Sequence, residues 1–245
     1  MSIHPTAAEG FDRAAAAYER GRPDYPAAAV AWLAEQLDLR PGVTVVDLAA
    51  GTGKLTRLLV PTGAAVVAVE PVASMRALIE GGEALDGRAD AMPFAEEWAD
   101  AVTVGQAFHW FATEQALTEI HRVLKPGGGL GLIWNSRDLD NPVQAAIEEL
   151  VAPLAGDVQK PEGESWRTPF ETTQLFGPLE ERSFEHGQEL DEQGLVDRVL
   201  STSFVAVAPD DRRAAIEARV RELARERDGR VVLPHVTYAY VTRRR

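Results

Sequence analysis

The densest grouping of residues able to do chemistry is Val45-Val46-Asp47-Leu48-Ala49-Ala50-Gly51-Thr52-Gly53. A β-branched run ends in a carboxylate, and a loop of small residues then leads into a helix-forming stretch from Lys54. Glycine at the turn opens backbone angles closed to other residues and lets a ligand approach the main chain. The helix start that follows offers N–H groups and a positive dipole end, suited to a carboxylate or a phosphate. A second carboxylate, Glu70, ends the next β-branched run, Ala64 to Val69. An acid there can accept both hydroxyls of a ribose. The ligand is expected at the carboxyl ends of parallel strands, where strand order reverses.

Three ligand classes use such a turn. A P-loop needs Gly and Ser or Thr where Leu48 and Leu55 stand, so Gly53-Lys54 is not one. A nicotinamide fingerprint needs a third Gly or Ala where Thr56 stands, and an Asp at position 47 is unusual for it. The third class is S-adenosylmethionine (SAM), which has no phosphate and carries an ammonium that a strand-end carboxylate could attract.

The elements that must position these residues alternate along the chain. Phe11 to Leu39 reads as helical, broken at Arg22-Pro23-Asp24-Tyr25-Pro26. Strands are expected at Val43 to Leu48, Ala64 to Val69, near Leu85 to Arg88, at Ala101 to Gly105 and at Gly129 to Trp134. Helices are expected at Lys54 to Val60, Val72 to Ile79 and Thr113 to Leu124, the last stopped by Lys125-Pro126-Gly127-Gly128. The alternation predicts an α/β fold with a doubly wound, Rossmann-like sheet, mostly parallel. Beyond Asn135 the pattern changes: helices near Pro142 to Leu154, Gln193 to Ser203 and Asp210 to Arg227, and strands at Leu179 to His186 and Val231 to Thr242. The late strands are expected to finish the sheet, the C-terminal one antiparallel, and the helices to cap it. Residues 1–245 form one domain in this reading, with 1–40 an N-terminal helical lid and 138–227 an inserted cap on the acceptor side.

Composition bounds the partners. A 245-residue chain with 45% hydrophobic and 26% charged residues suits a soluble globular domain with a full core. No apolar run is long enough for a transmembrane helix, and Met1 to Gly10 lacks the pattern of a secretory signal, so a cytoplasmic location and no membrane partner are expected. The absence of cysteine excludes disulfides, thiolate catalysis and Cys-ligated zinc. A formal net charge of -13 argues against a nucleic-acid partner, and Arg243-Arg244-Arg245 reads as a solvated end. The histidines at 4, 109, 121, 186 and 235 lack ligand spacing, so no metal site is expected.

Asp47 to Gly53, Val67 to Pro71, Gly87 to Phe94, Ala107 to Phe111 and His121 to Gly128 together resemble the successive motifs of class I SAM-dependent methyltransferases, most closely the type 11 subgroup. The leader, with Phe11-Asp12, Tyr18 and Arg22 to Pro26, resembles that of small-molecule enzymes similar to trans-aconitate methyltransferase, in which leader helices cover the SAM site. By this resemblance SAM is the cofactor and S-adenosylhomocysteine the product. Asp47, Ala49, Gly51 and Gly53 would hold the methionine portion, with Tyr18 and Arg22 above it. Glu70 and Pro71 would hold the ribose. Asp90 would accept from the adenine amino group, Met92 would pack on the ring, or Ala91 would donate from its backbone. Gln106 would lie beside the sulfonium. Many relatives have Gly where Ala49 stands, which puts the loop's shape or its affinity in question.

Tyr25, His109 and Trp110 fall on the acceptor side. His109 is a candidate base, since imidazole is the usual proton acceptor at neutral pH. It competes with catalysis by proximity, in which the cleft aligns an acceptor and excludes water. The expected reaction is methyl transfer to a small-molecule acceptor, an oxygen of a carboxylate or hydroxyl being favoured by the leader. A nicotinamide oxidoreductase on a similar sheet and a catalytically silent SAM-binding protein remain as alternatives. Oligomeric state is not legible.

Overall fold

A computed structural model describes residues 19–155 and 164–245; Phe11, Asp12 and Tyr18 of the leader lie outside them. The core is a seven-stranded sheet in the order β3-β2-β1-β4-β5-β7-β6. β1 (Thr44–Leu48), β2 (Ala65–Val69), β3 (Glu83–Leu85), β4 (Ala99–Gly105) and β5 (Leu124–Arg137) run parallel. β7 (Arg230–Arg243) runs antiparallel to β5, and β6 (Glu180–Asp191) antiparallel to β7. This is the expected doubly wound, mostly parallel sheet with an antiparallel C-terminal strand. The central strands are buried on both faces, which is why their sequences are continuous Val/Ala runs.

Helices α1 (Ala27–Gln36) and α2 (Lys54–Leu59) pack with Leu33, Leu37, Val45, Leu59 and Ile133 in an apolar cluster on one face. On the opposite face α4 (Glu114–Val123) brings Leu117, Ile120 and Val123 against Val102, Val104 and Leu130. The Thr113 hydroxyl caps α4 by accepting from the Ala116 N–H at 3.2 Å. Between β2 and β3 lies only the short helix α3 (Ala73–Arg76).

Several expected boundaries move: the helix expected at Val72 to Ile79 is only Ala73–Arg76, and the strand expected near Leu85 to Arg88 is Glu83–Leu85. α4 ends at Val123, and Lys125 to Gly128 belong to β5 rather than to a loop ahead of it. Ala99 pairs with Leu124 but Ala101 with Gly129, so these residues bulge out of the register. Asp100 holds the bulge by accepting from Lys125 Nζ at 2.9 Å and from the Thr44 N–H at 2.9 Å. β6 runs on to Asp191, five residues past the expected end at His186. Its charges alternate outward while Phe184, His186, Gln188 and Leu190 are half-buried.

The connection from β6 to β7 carries α7 (Glu192–Leu200), α8 (Ser203–Ala206) and α9 (Asp210–Arg225). With α5 (Pro142–Ala155) these helices enclose a third apolar cluster around Val151, Leu195, Val199, Val220 and Leu223, which joins the sheet through Val231 and Leu233. A smaller helix, α6 (Thr168–Thr172), follows a 3-10 turn at Glu164–Arg167. There Trp166 packs on Trp134, with ring centroids 4.6 Å apart.

Candidate active site

Strand order reverses between β1 and β4, and a cleft opens at their carboxyl ends. Asp47, Ala49, Gly51, Glu70, Asp90 and Gln106 all line it. Arg22, Tyr25, Pro71 and Trp110 line it as well.

Asp47 is fully buried at the cleft floor. Its carboxylate accepts from the Thr56 hydroxyl at 2.6 Å and the Thr103 hydroxyl at 3.2 Å. Thr103 stands directly opposite Asp47 on β4. Burial raises the Asp47 pKa to about 6; the two hydroxyls oppose the shift and the like charge of Glu70 adds to it. Thr56 stands where a nicotinamide site needs glycine, and its hydroxyl serves Asp47 instead.

Glu70 is also buried. Its Oε2 accepts from the Gly51 N–H at 2.9 Å and its Oε1 from the Val72 N–H at 2.8 Å. Burial raises its pKa, and the two N–H donors oppose the shift. Two more loop amides are bonded within the protein: Ala50 N–H donates to the Val69 carbonyl at 3.2 Å and Gly53 N–H to the Ala50 carbonyl at 2.9 Å. Three loop amides that could cradle a phosphate are thus engaged, beside two carboxylates that would repel one. A ligand with hydroxyls and an ammonium meets no such obstacle.

Gly53 faces away from the cleft wall. Its φ of 82° and the 3.2 Å that a Cβ would have to Ile79 explain the glycine by backbone and packing. Ala49 takes a left-handed φ of 56° without being glycine. Further along the cleft Arg88 donates to both Asp90 oxygens, at 3.0 and 2.8 Å. The Ala91 N–H donates to the Arg88 carbonyl at 3.0 Å, and Met92 sits in the core with its N–H on Glu119 Oε1 at 2.7 Å. Neither Ala91 nor Met92 lines the cleft among the described residues, whereas Arg88 and Ala89 do.

Gln106 has φ 59° and donates through Nε2 to the Asn135 carbonyl at 3.2 Å. Tyr25 is buried over Gly105, where a Cβ would lie 2.6 Å from its hydroxyl; any other residue would displace the ring. The 3-10 turn Phe108–Trp110 turns Trp110 and Phe111 to the cleft and His109 to the interior. His109 Nδ1 accepts from Trp134 Nε1 at 3.4 Å, and burial pushes its pKa down to about 4.

The described leader residues, from Glu19 on, bond to the helix after the loop. Lys54 Nζ donates to Asp24 at 3.0 Å, and Arg57 and Thr52 both hold Glu19. Toward the cap, Arg20 pairs with Asp197 at 2.7 Å, and Gln188 donates to the Gly21 carbonyl at 2.9 Å. Among the described residues no cluster of metal-ligating side chains occurs, and no helix is long and apolar enough to cross a membrane.

Sheet order, loop and paired strand-end carboxylates define a class I methyltransferase fold. A family model described as a methyltransferase domain matches residues 46–132. An uncharacterised methyltransferase of Mycobacterium tuberculosis is 38% identical over 93% of this chain and 92% of its own length. A ubiquinone/menaquinone biosynthesis C-methyltransferase of Klebsiella pneumoniae is 28% identical over 60% of this chain and 68% of its own. Among solved structures, one assigned as a type II methyltransferase of Anaeromyxobacter dehalogenans superposes with a TM-score of 0.64 at 22% identity, covering 91% of this chain and 97% of that one. The chain belongs to the class I methyltransferases, type 11 subgroup, and is an enzyme of that family.

Proposed function

We propose that this chain binds SAM and transfers its methyl group to an oxygen of a small-molecule acceptor, a carboxylate or a hydroxyl. The observation that carries the cofactor is the Gly51–Glu70 contact. The Gly51 N–H serves the Glu70 carboxylate rather than a ligand phosphate, and Asp47 lies buried beside them. A bound ammonium would offset both the burial of Asp47 and its repulsion from Glu70. The residues present fit the cofactor: Asp47 and Gly51 toward the amino acid end, Glu70 toward the ribose, Asp90 toward the adenine and Gln106 toward the sulfonium. When bound, SAM supplies an activated methyl group on a good leaving group. The chain's own residues orient the acceptor in line with it and exclude water, with Tyr25, Trp110 and Phe111 as walls.

The oxygen assignment rests on the leader and on the turn of His109 into the interior. Among the described residues no imidazole lines the cleft. A carboxylate acceptor, already ionised at neutral pH, needs none. In this reading residues 1–245 work as one catalytic domain in the cytoplasm, with 1–40 as lid and 138–227 as acceptor-side cap. The net charge of -13 supports a small molecule over nucleic acid.

Calorimetry with SAM, S-adenosylhomocysteine and NAD tests the cofactor: heat is expected with the first two, and binding of NAD alone overturns the reading. S-adenosylhomocysteine release across carboxylates, alcohols, amines and carbon nucleophiles tests the acceptor. Turnover confined to amines or carbon acceptors removes the oxygen assignment.

A further inference from the structure

Asn135 lies near the carboxyl end of β5, opposite Thr237 of β7. Its side-chain Nδ2 donates to two leader carbonyls, Asp24 at 3.2 Å and Pro23 at 3.4 Å. Its Oδ1 accepts from the Thr237 hydroxyl at 2.6 Å. Its own carbonyl accepts from Gln106 Nε2 at 3.2 Å. One residue thus touches the leader, the cleft wall and the neighbouring strand.

The donors and acceptors fix one arrangement. Two carbonyls face the Asn135 side chain, so its NH2 group must point at the leader and its oxygen at Thr237. Thr237 has one hydroxyl proton, and the short contact assigns it to Asn135 Oδ1. The Thr237 hydroxyl then has no proton left for His186 Nδ1 at 3.3 Å, and the His186 ring also bonds the Asp24 backbone.

Leader residues 19–21 are tied elsewhere, Glu19 to Thr52 and Arg57, Arg20 to Asp197 and Gly21 to Gln188, whereas Asn135 meets Pro23 and Asp24. Asp24, which pairs with Lys54, is 62% exposed at its side chain, and exposed ion pairs hold little. Gly105 only leaves room for Tyr25. The Asn135 contacts fall on the two residues immediately before Tyr25, and so set where that ring enters the cleft.

We propose that Asn135 is a positioning residue that registers the leader against the cofactor cleft. Through it Tyr25 and Gln106 are held in fixed relation on the acceptor side. The affinity part of this inference rests on the proposed SAM binding; the leader-docking part does not.

The test is Asn135→Asp in the full chain, an isosteric change that puts an acceptor-only group before two carbonyls. Hydrogen exchange of the Gly21 to Tyr25 amides, without ligand, is expected to speed up while β1, β4 and α4 keep wild-type exchange. S-adenosylhomocysteine affinity is expected to fall about tenfold. Acidification should narrow the gap from wild type, because the protonated carboxyl regains a donor. The charged or titratable groups near that site are Asp24 and Lys54 on the leader side and His186 beyond Thr237. Wild-type exchange across Gly21 to Tyr25 overturns the proposal, whether or not the wild type binds S-adenosylhomocysteine. No S-adenosylhomocysteine binding by the wild type, with faster leader exchange in the variant, sinks the cofactor reading and keeps Asn135's role. If Asn135→Asp fails to fold, Thr237→Val decides: faster leader exchange supports the proposal and unchanged exchange removes it.

Discussion

The Gly51 N–H donates to Glu70 Oε2 at 2.9 Å, so the loop after β1 and the end of β2 are fastened to each other through one carboxylate. With Val72 on its other oxygen, Glu70 both shapes the loop and faces the cleft. Glu70→Ala is expected to weaken SAM binding about ten- to a hundredfold. It should also lower the melting temperature, because two N–H groups at a buried site lose their acceptor, at about 1–3 kcal/mol each. Glu70→Gln keeps one acceptor oxygen and should lose less stability than affinity. Calorimetry and thermal unfolding of both variants check this; wild-type values for Glu70→Ala in both would refute it.

Ala49 carries a backbone strain that its neighbours Gly51 and Gly53 avoid. At φ 56° an alanine costs about 1 kcal/mol or more over glycine. Glycine returns part of that as unfolded-chain entropy. Ala49→Gly is therefore expected to be neutral to about 1 kcal/mol more stable, with SAM affinity retained. Ala49→Val, β-branched at the same φ, should be destabilised. Urea unfolding of both variants gives the answer, and a marked loss with glycine would mean that the Ala49 methyl group is a needed contact.

These residues show what a sequence discloses. β1 and β2 were legible to within a residue because strands buried on both faces must be continuous apolar runs. Asp47 and Glu70 were legible because each ends such a run. Thr103 was not: nothing along the chain says that it lies opposite Asp47 until the β1–β4 register exists. The second half of β6 was hidden by Glu185, Gly187 and Glu189, which face outward and break the apolar pattern. Asn135 looked like the end of a strand, because its partners lie over a hundred residues away in both directions. The direction of His109 was set by a 3-10 turn too short to carry a period.

Stability should fall on acidification, from opposing contributions. His109 and His235 are each held near pKa 4, against an ordinary 6.5, chiefly by burial; the charge of Arg198 adds to it at His235. Their folded forms refuse protons that the unfolded chain takes. The stability they contribute is whole above about pH 6.5 and is lost as pH drops toward 4. Asp47 acts the other way: raised from 3.8 to about 6, it takes its proton first when folded and gains stability between those values. Glu70, also raised by burial, joins Asp47, and His186, also lowered by burial, joins the other two imidazoles, which set the net fall. Urea midpoints should decline from pH 7 to pH 5, and His235→Leu should flatten the decline. A midpoint that rises over this range would contradict the assignment.

His109 separates two accounts of the chemistry. A general base must reach the acceptor's proton and hold a pKa near the working pH. His109 meets neither demand here: its Nδ1 faces Trp134 Nε1, its ring tilts against Trp110 at 4.8 Å, and its pKa lies near 4. Trp110, the next residue, lines the cleft, and His109 does not. Catalysis by proximity is therefore expected. His109→Gln should keep most of the single-turnover rate, since the Gln oxygen can still accept from the Trp134 N–H. SAM affinity should stay within about twofold of wild type. His109→Ala should instead lose stability, because it leaves that N–H unpaired beside a new void. The pH–rate profile of the wild type should show no limb near 6.5 that vanishes in His109→Gln. A hundredfold drop in single-turnover methyl transfer by His109→Gln, with SAM binding intact, would establish His109 as the base and overturn the proximity account.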